Sequence, residues 1–157
     1  METLGSRGSE DLDSDSCTGT TGAVLRCSNG SCLAASARWL GSVGSALLAE
    51  AEALRDGLRL IPAGSREHII LETDAQDLVL LWQARAKRHS EVATILDDIE
   101  TIATAFTSFR VIHTRRSLNF AAHLCAQHAS ATLESFSWLS LPSFLQRCLQ
   151  SDCNETF

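Results

Sequence analysis

The chain has 157 residues, enough for one domain with a single hydrophobic core. Its composition, 45% hydrophobic and 20% charged, is ordinary for a globular protein, and no apolar run is long enough to cross a membrane. The net charge of −6 argues against strong non-specific binding to nucleic acid. The N-terminus lacks the apolar segment of a secretory signal, so we expect an intracellular protein of the cytoplasm or nucleus that is not secreted.

The first half of the chain predicts a tail, a hairpin and a helix. Residues 1–17 are acidic and rich in serine and glycine, so we expect a disordered acidic tail. Two apolar segments, 23–26 and 32–39, flank Asn29-Gly30 and predict a β-hairpin. Ser45 is a suitable N-cap for a helix that ends near Pro62.

The second half alternates strands with helices. Residues 68–73 predict a buried parallel strand ending at Asp74, because helices are predicted on both sides of it. Helices are predicted at about 74–86, 90–106 and 118–131, and a strand at 109–113. Residues 134–157 form a predicted C-terminal tail with room for a short amphipathic helix. The order indicates an α/β domain with a mixed sheet over residues 18–133.

Two acidic residues occupy positions suited to metal ligands. On a helical wheel Glu50 lies about 40° from Leu54, at the edge of the apolar stripe, whereas Glu52 lies more than about 100° away and should face solvent. Asp74 follows a buried strand, where open α/β sheets place ligand sites. The residues alone leave two alternatives open, namely that Glu50 reaches solvent and that Asp74 caps the next helix. If the two converged, their oxygens would suit Mg²⁺ or Mn²⁺.

Four motifs in order resemble plant ribonuclease H-like domains, relatives of type 1 ribonuclease H and of the ribonuclease H region of reverse transcriptases. They are GAVLR at 22–26 before Asn29-Gly30, AEAEALRDGL at 49–58, LETDAQ at 71–76, and VIHTRRSLNFAAH at 111–123. The resemblance covers about residues 18–130. It implies a ribonuclease H-like mixed β-sheet flanked by helices. It also implies Mg²⁺ or Mn²⁺ as cofactor and cleavage of the RNA strand of RNA–DNA hybrids.

Carried over by position, the resemblance makes Glu50 and Asp74 catalytic metal ligands. His123 stands where the family has its last acidic residue, and an imidazole there would contact a metal or move a proton; a surface histidine without a catalytic role is the alternative. The resemblance also implies a first, central strand with an aspartate in a V-D-x-A context. Residues 9–16 make a poor strand, in which Glu10 and Asp11 are the nearest acids.

We therefore expect the first strand to be missing or degenerate and the active site to be incomplete, as a truncated gene model would explain. The alternatives to a hybrid ribonuclease are an inactive nucleic-acid-binding module or a truncated product without function. Two basic clusters are candidate phosphate contacts, and their alternative is a solvated run of charge. One comprises Arg115, Arg116 and Asn119, and the other comprises Arg85, Lys87 and Arg88.

Overall fold

The computed structural model describes residues 2–11, 18–84 and 91–146, and for residues 2–11 it describes the backbone alone. The strands are β1 (Glu2–Asp11), β2 (Thr18–Arg26), β3 (Cys32–Ser42), β4 (His68–Thr73), β5 (Ser108–His113) and β6 (Phe136–Trp138). The helices are α1 (Ala46–Arg59), α2 (Gln76–Gln83), α3 (Ala93–Ala103) and α4 (Phe120–Thr132). Within these described ranges, no helix is both long and apolar enough to cross a membrane.

The six strands form one mixed sheet in the order β5-β4-β1-β2-β3-β6. β1, β2 and β3 are antiparallel neighbours, whereas β4 runs parallel to both β1 and β5. This arrangement confirms the predicted α/β class and its mixed sheet. The predicted hairpin is also confirmed, since Gly30 adopts a positive φ of 84° in the turn between β2 and β3.

The central position of the sheet is occupied by β1, so of the two expectations for the first strand, missing or degenerate, the structure agrees with a degenerate strand. The backbone of Glu2–Asp11 pairs with β2 on one side and with β4 on the other. The expectation of a disordered tail over residues 1–17 is therefore wrong for residues 2–11. The sequence of β1 is rich in glycine, serine and acidic residues and is degenerate for a strand. Pairing overrides this weak propensity, because without β1 the facing edges of β2 and β4 would lack partners for their backbone groups.

Helix α1 covers one face of the sheet. Ser45 caps it as predicted, accepting a hydrogen bond from the backbone N–H of Leu48. Its inner side buries Leu54 and Leu58 against residues such as Leu25 and Leu71, whose side chains share that face of the sheet. Helices α2 and α3 extend this core, which is the larger of two apolar clusters.

Helix α4 packs on the opposite face, where β2 and β3 carry small side chains. Val24 and Ala35 meet Cys125 and Ala129 in the second apolar cluster. Gly22 allows this close approach, because a Cβ atom there would lie 2.0 Å from the carbonyl oxygen of Ala122. A residue larger than glycine at this point of β2 would force the helix away from the sheet.

The C-terminal segment belongs to the sheet, although we expected a tail after residue 133. β6 pairs with β3, with Phe136 opposite Ala37 and Trp138 opposite Ala35. A helical turn at 143–146 follows, and it buries Leu145 completely. The physical reason is that β3 would otherwise be an open edge strand.

Candidate active site

Asp74 lies immediately beyond the carboxyl end of β4. The side-chain amide of Asn119 donates to Oδ1 of Asp74 at 3.1 Å. The loop after β5 is fixed to the same place, since the backbone N–H of Thr114 donates to the carbonyl of Thr73 at 2.8 Å. The N-cap position of α2 is Ala75, one residue after Asp74. Asp74 therefore faces the start of α4.

Asn119 acts as a support for Asp74. It occupies the N-cap position of α4 but makes no side-chain cap there, and it is only 2% exposed. Its donor amide points to Asp74 inside the protein, and the contact of Asn119 with nucleic acid stays a prediction. The asparagine at the start of a predicted helix was visible in the sequence, but its partner lies 45 residues away.

His123 lies one helical turn after Asn119, to whose carbonyl its backbone N–H donates at 3.2 Å. The residue is half-buried, and its Nδ1 atom is enclosed. Its ring lies 6.0 Å from that of Phe120, measured between centroids. His123 is thus on the α4 turn next to the Asn119–Asp74 pair.

Glu50 lies in the first half of α1, which packs across β1 and β2. The residue is half-buried and its Oε2 atom is enclosed, so the carboxylate does not simply extend into solvent. This agrees with the wheel, which placed Glu50 at the inner edge of the apolar stripe.

These residues do not complete a metal centre in the part of the chain that the structure describes. No three His, Cys, Asp or Glu side chains there form a group able to hold a metal ion, so Glu50, Asp74 and His123 are not assembled as a three-ligand site. Two-metal phosphodiester hydrolysis usually needs more carboxylates, because each offsets part of the charge of the cations. The acidic, histidine and cysteine side chains that the structure describes therefore do not fit a two-metal centre.

The backbone register of β1 shows which of its residues is level with Asp74. Ser6 pairs with Thr73, so the next residue, Arg7, is level with Asp74 and lies opposite Gly22. Glu10 and Asp11 lie three and four residues further along the strand, roughly 10 Å or more from that level. The residue of β1 that is level with Asp74 is thus an arginine and not an acidic residue.

Glu52 does not face open solvent, which corrects the prediction from the wheel. Its side chain is 17% exposed and forms ion pairs with Arg38 at 2.5 Å and with Arg55 at 2.7 Å. Burial alone would raise the pKa of Glu52, but the hydrogen bonds from both arginines outweigh it and hold the pKa below its ordinary value. Arg38 also donates to Asp56 at 2.7 Å, so these pairs join α1 to β3.

Glu72, two residues before Asp74, points to the face of the sheet opposite Leu71. It lines a cavity of about 280 Å³ together with Arg26, Thr114 and Leu118. Burial raises the pKa of Glu72, and the nearby charge of Arg26 only partly opposes this effect.

The structure describes one of the two predicted basic clusters. Arg115 and Arg116 are exposed in the loop between β5 and α4, and the backbone N–H of Asn119 donates to the carbonyls of both. They therefore lie at the same end of the sheet as Asp74. The second cluster, comprising Arg85, Lys87 and Arg88, lies outside the described residues.

The fold is shared with ribonucleases H of known structure. RNase H1 from the halophilic archaeon Halobacterium salinarum NRC-1 superposes with a TM-score of 0.70 at 18% identity, covering 83% of this chain and 98% of that one. The N-terminal RNase H domain of a Mycobacterium tuberculosis protein, solved as a fusion with maltose binding protein, gives a TM-score of 0.72 at 19% identity, covering 83% and 94%.

A third structure is LC11-RNase H1, isolated from compost by a metagenomic approach and solved in complex with RNA/DNA hybrid. It gives a TM-score of 0.69 at 17% identity and covers 85% of this chain and 100% of that one. No curated protein sequence matches the chain significantly. The sequence model of the reverse transcriptase-like family matches residues 9–129. The chain therefore belongs to the reverse transcriptase-like family and has the ribonuclease H fold.

Proposed function

We propose that this chain is a ribonuclease H-type domain that binds RNA–DNA hybrids at the end of the sheet where Asp74 lies. The observation that carries the proposal is the joint placement of the Asp74–Asn119 pair and the exposed guanidinium groups of Arg115 and Arg116. The fold is consistent with this function, and LC11-RNase H1, which shares it, was solved with an RNA/DNA hybrid.

Arg115 and Arg116 act as contacts for phosphate oxygens, which position a duplex without reading its sequence. With a net charge of −6, the chain needs such local cations to hold a polyanion. Asn119 acts through Asp74, whose carboxylate it orients toward the bound duplex. On this proposal, Arg85, Lys87 and Arg88 form a second contact with the duplex.

Hydrolysis of the RNA strand is the second candidate function, and the retention of both carboxylates favours it. Glu50 has an enclosed carboxylate oxygen on α1, and Asp74 is held in place at the end of β4. These two residues would hold Mg²⁺ or Mn²⁺, with His123 nearby on α4. The arginine at position 7 and the lack of a three-ligand group among the described residues count against this candidate. Binding without hydrolysis is therefore the better supported function.

Fluorescence anisotropy with a labelled hybrid, at several salt concentrations, tests the binding proposal. Arg115→Gln and Arg116→Gln should each weaken binding several-fold and reduce the slope of log K against log salt by up to about one. Arg66→Gln is the matched control, since it removes one exposed positive charge away from Asp74. Affinities of the two variants equal to that of the control would contradict the proposal.

A cleavage assay in Mg²⁺ and in Mn²⁺ tests the second candidate. The wild-type chain is compared with Asp74→Asn and Glu50→Gln on the same hybrid. If the three proteins show the same background rate, hydrolysis is excluded and the binding proposal stands. A wild-type rate well above that of both variants would instead establish the enzyme.

A further inference from the structure

A cavity away from Asp74 opens between the second half of α1 and strands β3 and β6, and its volume of about 340 Å³ is typical of small-ligand sites. Its wall contains two arginines, three serines, one aspartate and three apolar residues. The polar ones are Ser36, Arg38, Asp56, Arg59, Ser135 and Ser137, and the apolar ones include Leu60 and Phe136. Serine hydroxyls and guanidinium groups are hydrogen-bond donors, so the wall is rich in donors.

Ser36 gives the first independent sign of a ligand. Its hydroxyl oxygen is enclosed and has no hydrogen-bond partner within the residues that the structure describes. Buried hydroxyl groups in proteins are normally paired, because leaving water without a new partner is costly. Ser137 stands directly opposite Ser36 in the pairing of β3 with β6, so the two hydroxyls are neighbours. An acceptor atom in the cavity would pair with both.

Arg59 and Arg38 supply further donors. Arg59 is 56% exposed, and its 3.5 Å contact with Asp56 is longer than a normal hydrogen bond, so its guanidinium keeps donor capacity. Arg38 uses Nε for Asp56 and Nη2 for Glu52, and its Nη1 remains available. Asp56 already accepts from Arg38 and from the hydroxyl of Thr21, at 2.6 Å. The lining residues thus carry two positive charges and one negative charge. The charge of Arg38 is already paired with Glu52 and Asp56, so Arg59 is the cation with the most charge left for a ligand.

We propose that this cavity binds a phosphoryl group or a similar tetrahedral oxyanion, held by Arg59, Arg38 and the hydroxyls of Ser36 and Ser137. A tetrahedral anion offers several acceptors at once and no donors when fully ionised, which matches a wall of converging donors. The cavity is distinct from the end of β4, because β3 lies three strands from β4, roughly 14 Å across the sheet. The proposal does not depend on hybrid binding.

Calorimetric titration of the full chain with inorganic phosphate tests the site. We expect saturable binding that Arg59→Gln weakens about tenfold, because a charge-assisted hydrogen bond is lost. Arg66→Gln, which does not line the cavity, should leave the affinity unchanged. Ser36→Ala should weaken phosphate binding several-fold without lowering the free energy of unfolding, since the hydroxyl has no partner in the described protein. A merely structural serine would show the opposite pattern.

A second experiment, hybrid binding at several salt concentrations, distinguishes a phosphate of a nucleic-acid backbone from a free phosphate. If the site holds a phosphate of a nucleic-acid backbone, Arg59→Gln will also lower the salt slope for hybrid binding by up to about one. If it holds a free phosphate or a nucleotide, that slope will stay at the wild-type value while phosphate binding is lost. Absence of phosphate binding at millimolar concentrations, or equal affinities of wild type and Arg59→Gln, overturns the proposal. A chain that binds phosphate but no hybrid would refute only the proposed function.

Discussion

The hydrogen bond between Asn119 and Asp74 defines the geometry of the candidate site. Asn119 is nearly fully buried, and its amide donates to a carboxylate that lies on a different element. A buried amide that loses its partner costs free energy, and so does a half-buried carboxylate that loses its donor. The pair therefore contributes to stability as well as to the orientation of Asp74.

We expect Asn119→Ala to lower the free energy of unfolding by about 1–3 kcal/mol. Asp74→Ala should lower the free energy of unfolding by less when Asn119 is already replaced, because the two side chains share one interaction. Urea unfolding of wild type, both single variants and the double variant gives a coupling energy, which we expect to be at least about 0.5 kcal/mol. Additive single effects would show that the contact carries no energy.

Glu72 should make stability depend on pH in a predictable direction. Because burial raises its pKa above the ordinary 4.5, the folded chain binds the proton more tightly than the unfolded chain. Its contribution to stability is therefore present below that value and is lost as the pH rises through the raised pKa. Glu72→Gln should stabilise the protein at pH 7 by less than about 1 kcal/mol, and the difference should vanish near pH 4.

Chemical unfolding of both proteins across this pH range measures the effect. Glu67→Gln, at an exposed position just before β4, is the control and should show no such trend. A Glu72→Gln variant that is less stable than wild type at pH 7 would show that the negative charge is favourable where it lies.

The sequence predicted where Asp74 and Glu50 lie but not the residues that surround them. A buried strand that ends in an acid and a helix with an apolar stripe are local patterns. The contact of Asn119 with Asp74, and those of Glu52 with Arg38, join residues far apart in the chain. Such contacts depend on how the elements pack. A helical wheel considers α1 alone, so it could not show Arg38 on β3 and assigned Glu52 to solvent.

At the scale of elements, α4 packs tightly against β2 at Gly22. Gly22→Ala would place a Cβ atom 2.0 Å from the carbonyl oxygen of Ala122 and 2.6 Å from the backbone nitrogen of Ala126. Both are backbone atoms, so relief requires a shift of the whole helix, and we expect a loss of about 1–3 kcal/mol or more.

Thermal and urea unfolding measure this loss. Gly44→Ala is the control, because the nearest atom to its Cβ is a side-chain carbon of Leu48 at 3.7 Å, an ordinary contact. Equal stabilities of the two variants would mean that α4 moves outward at little cost.

The elements that the sequence predicted carry their own local signals. The hairpin has Asn29-Gly30, α1 has the Ser45 cap, and β4 contains the apolar run Ile69-Ile70-Leu71. β1 has no such signal, and its position depends on two neighbouring strands that both need a partner. β6 is only three residues long and forms because β3 offers a free edge. Strand formation driven by partners elsewhere in the chain is not visible in local patterns.

At the scale of the whole molecule, the C-terminal segment decides where the domain ends. A domain that ended at residue 133 would leave the edge of β3 unpaired and would uncover part of the second apolar cluster. In the structure the segment instead adds β6 and the aromatic rings of Phe136, Trp138 and Phe144, which gather around His128 at centroid distances of 4.7–5.7 Å. The segment is thus part of the core.

Two leucines of this segment provide a matched test. Leu145 is fully buried and Leu139 is 90% exposed, although only six residues separate them. We expect Leu145→Ala to lower the free energy of unfolding by about 2–4 kcal/mol, through lost burial and the cavity left behind, and Leu139→Ala to change it by less than about 0.5 kcal/mol. If both variants unfold at the same urea concentration as wild type, the segment is not docked in solution and the domain ends before it. If only Leu145→Ala unfolds earlier, and in one transition, residues 134–146 fold as a unit with the sheet.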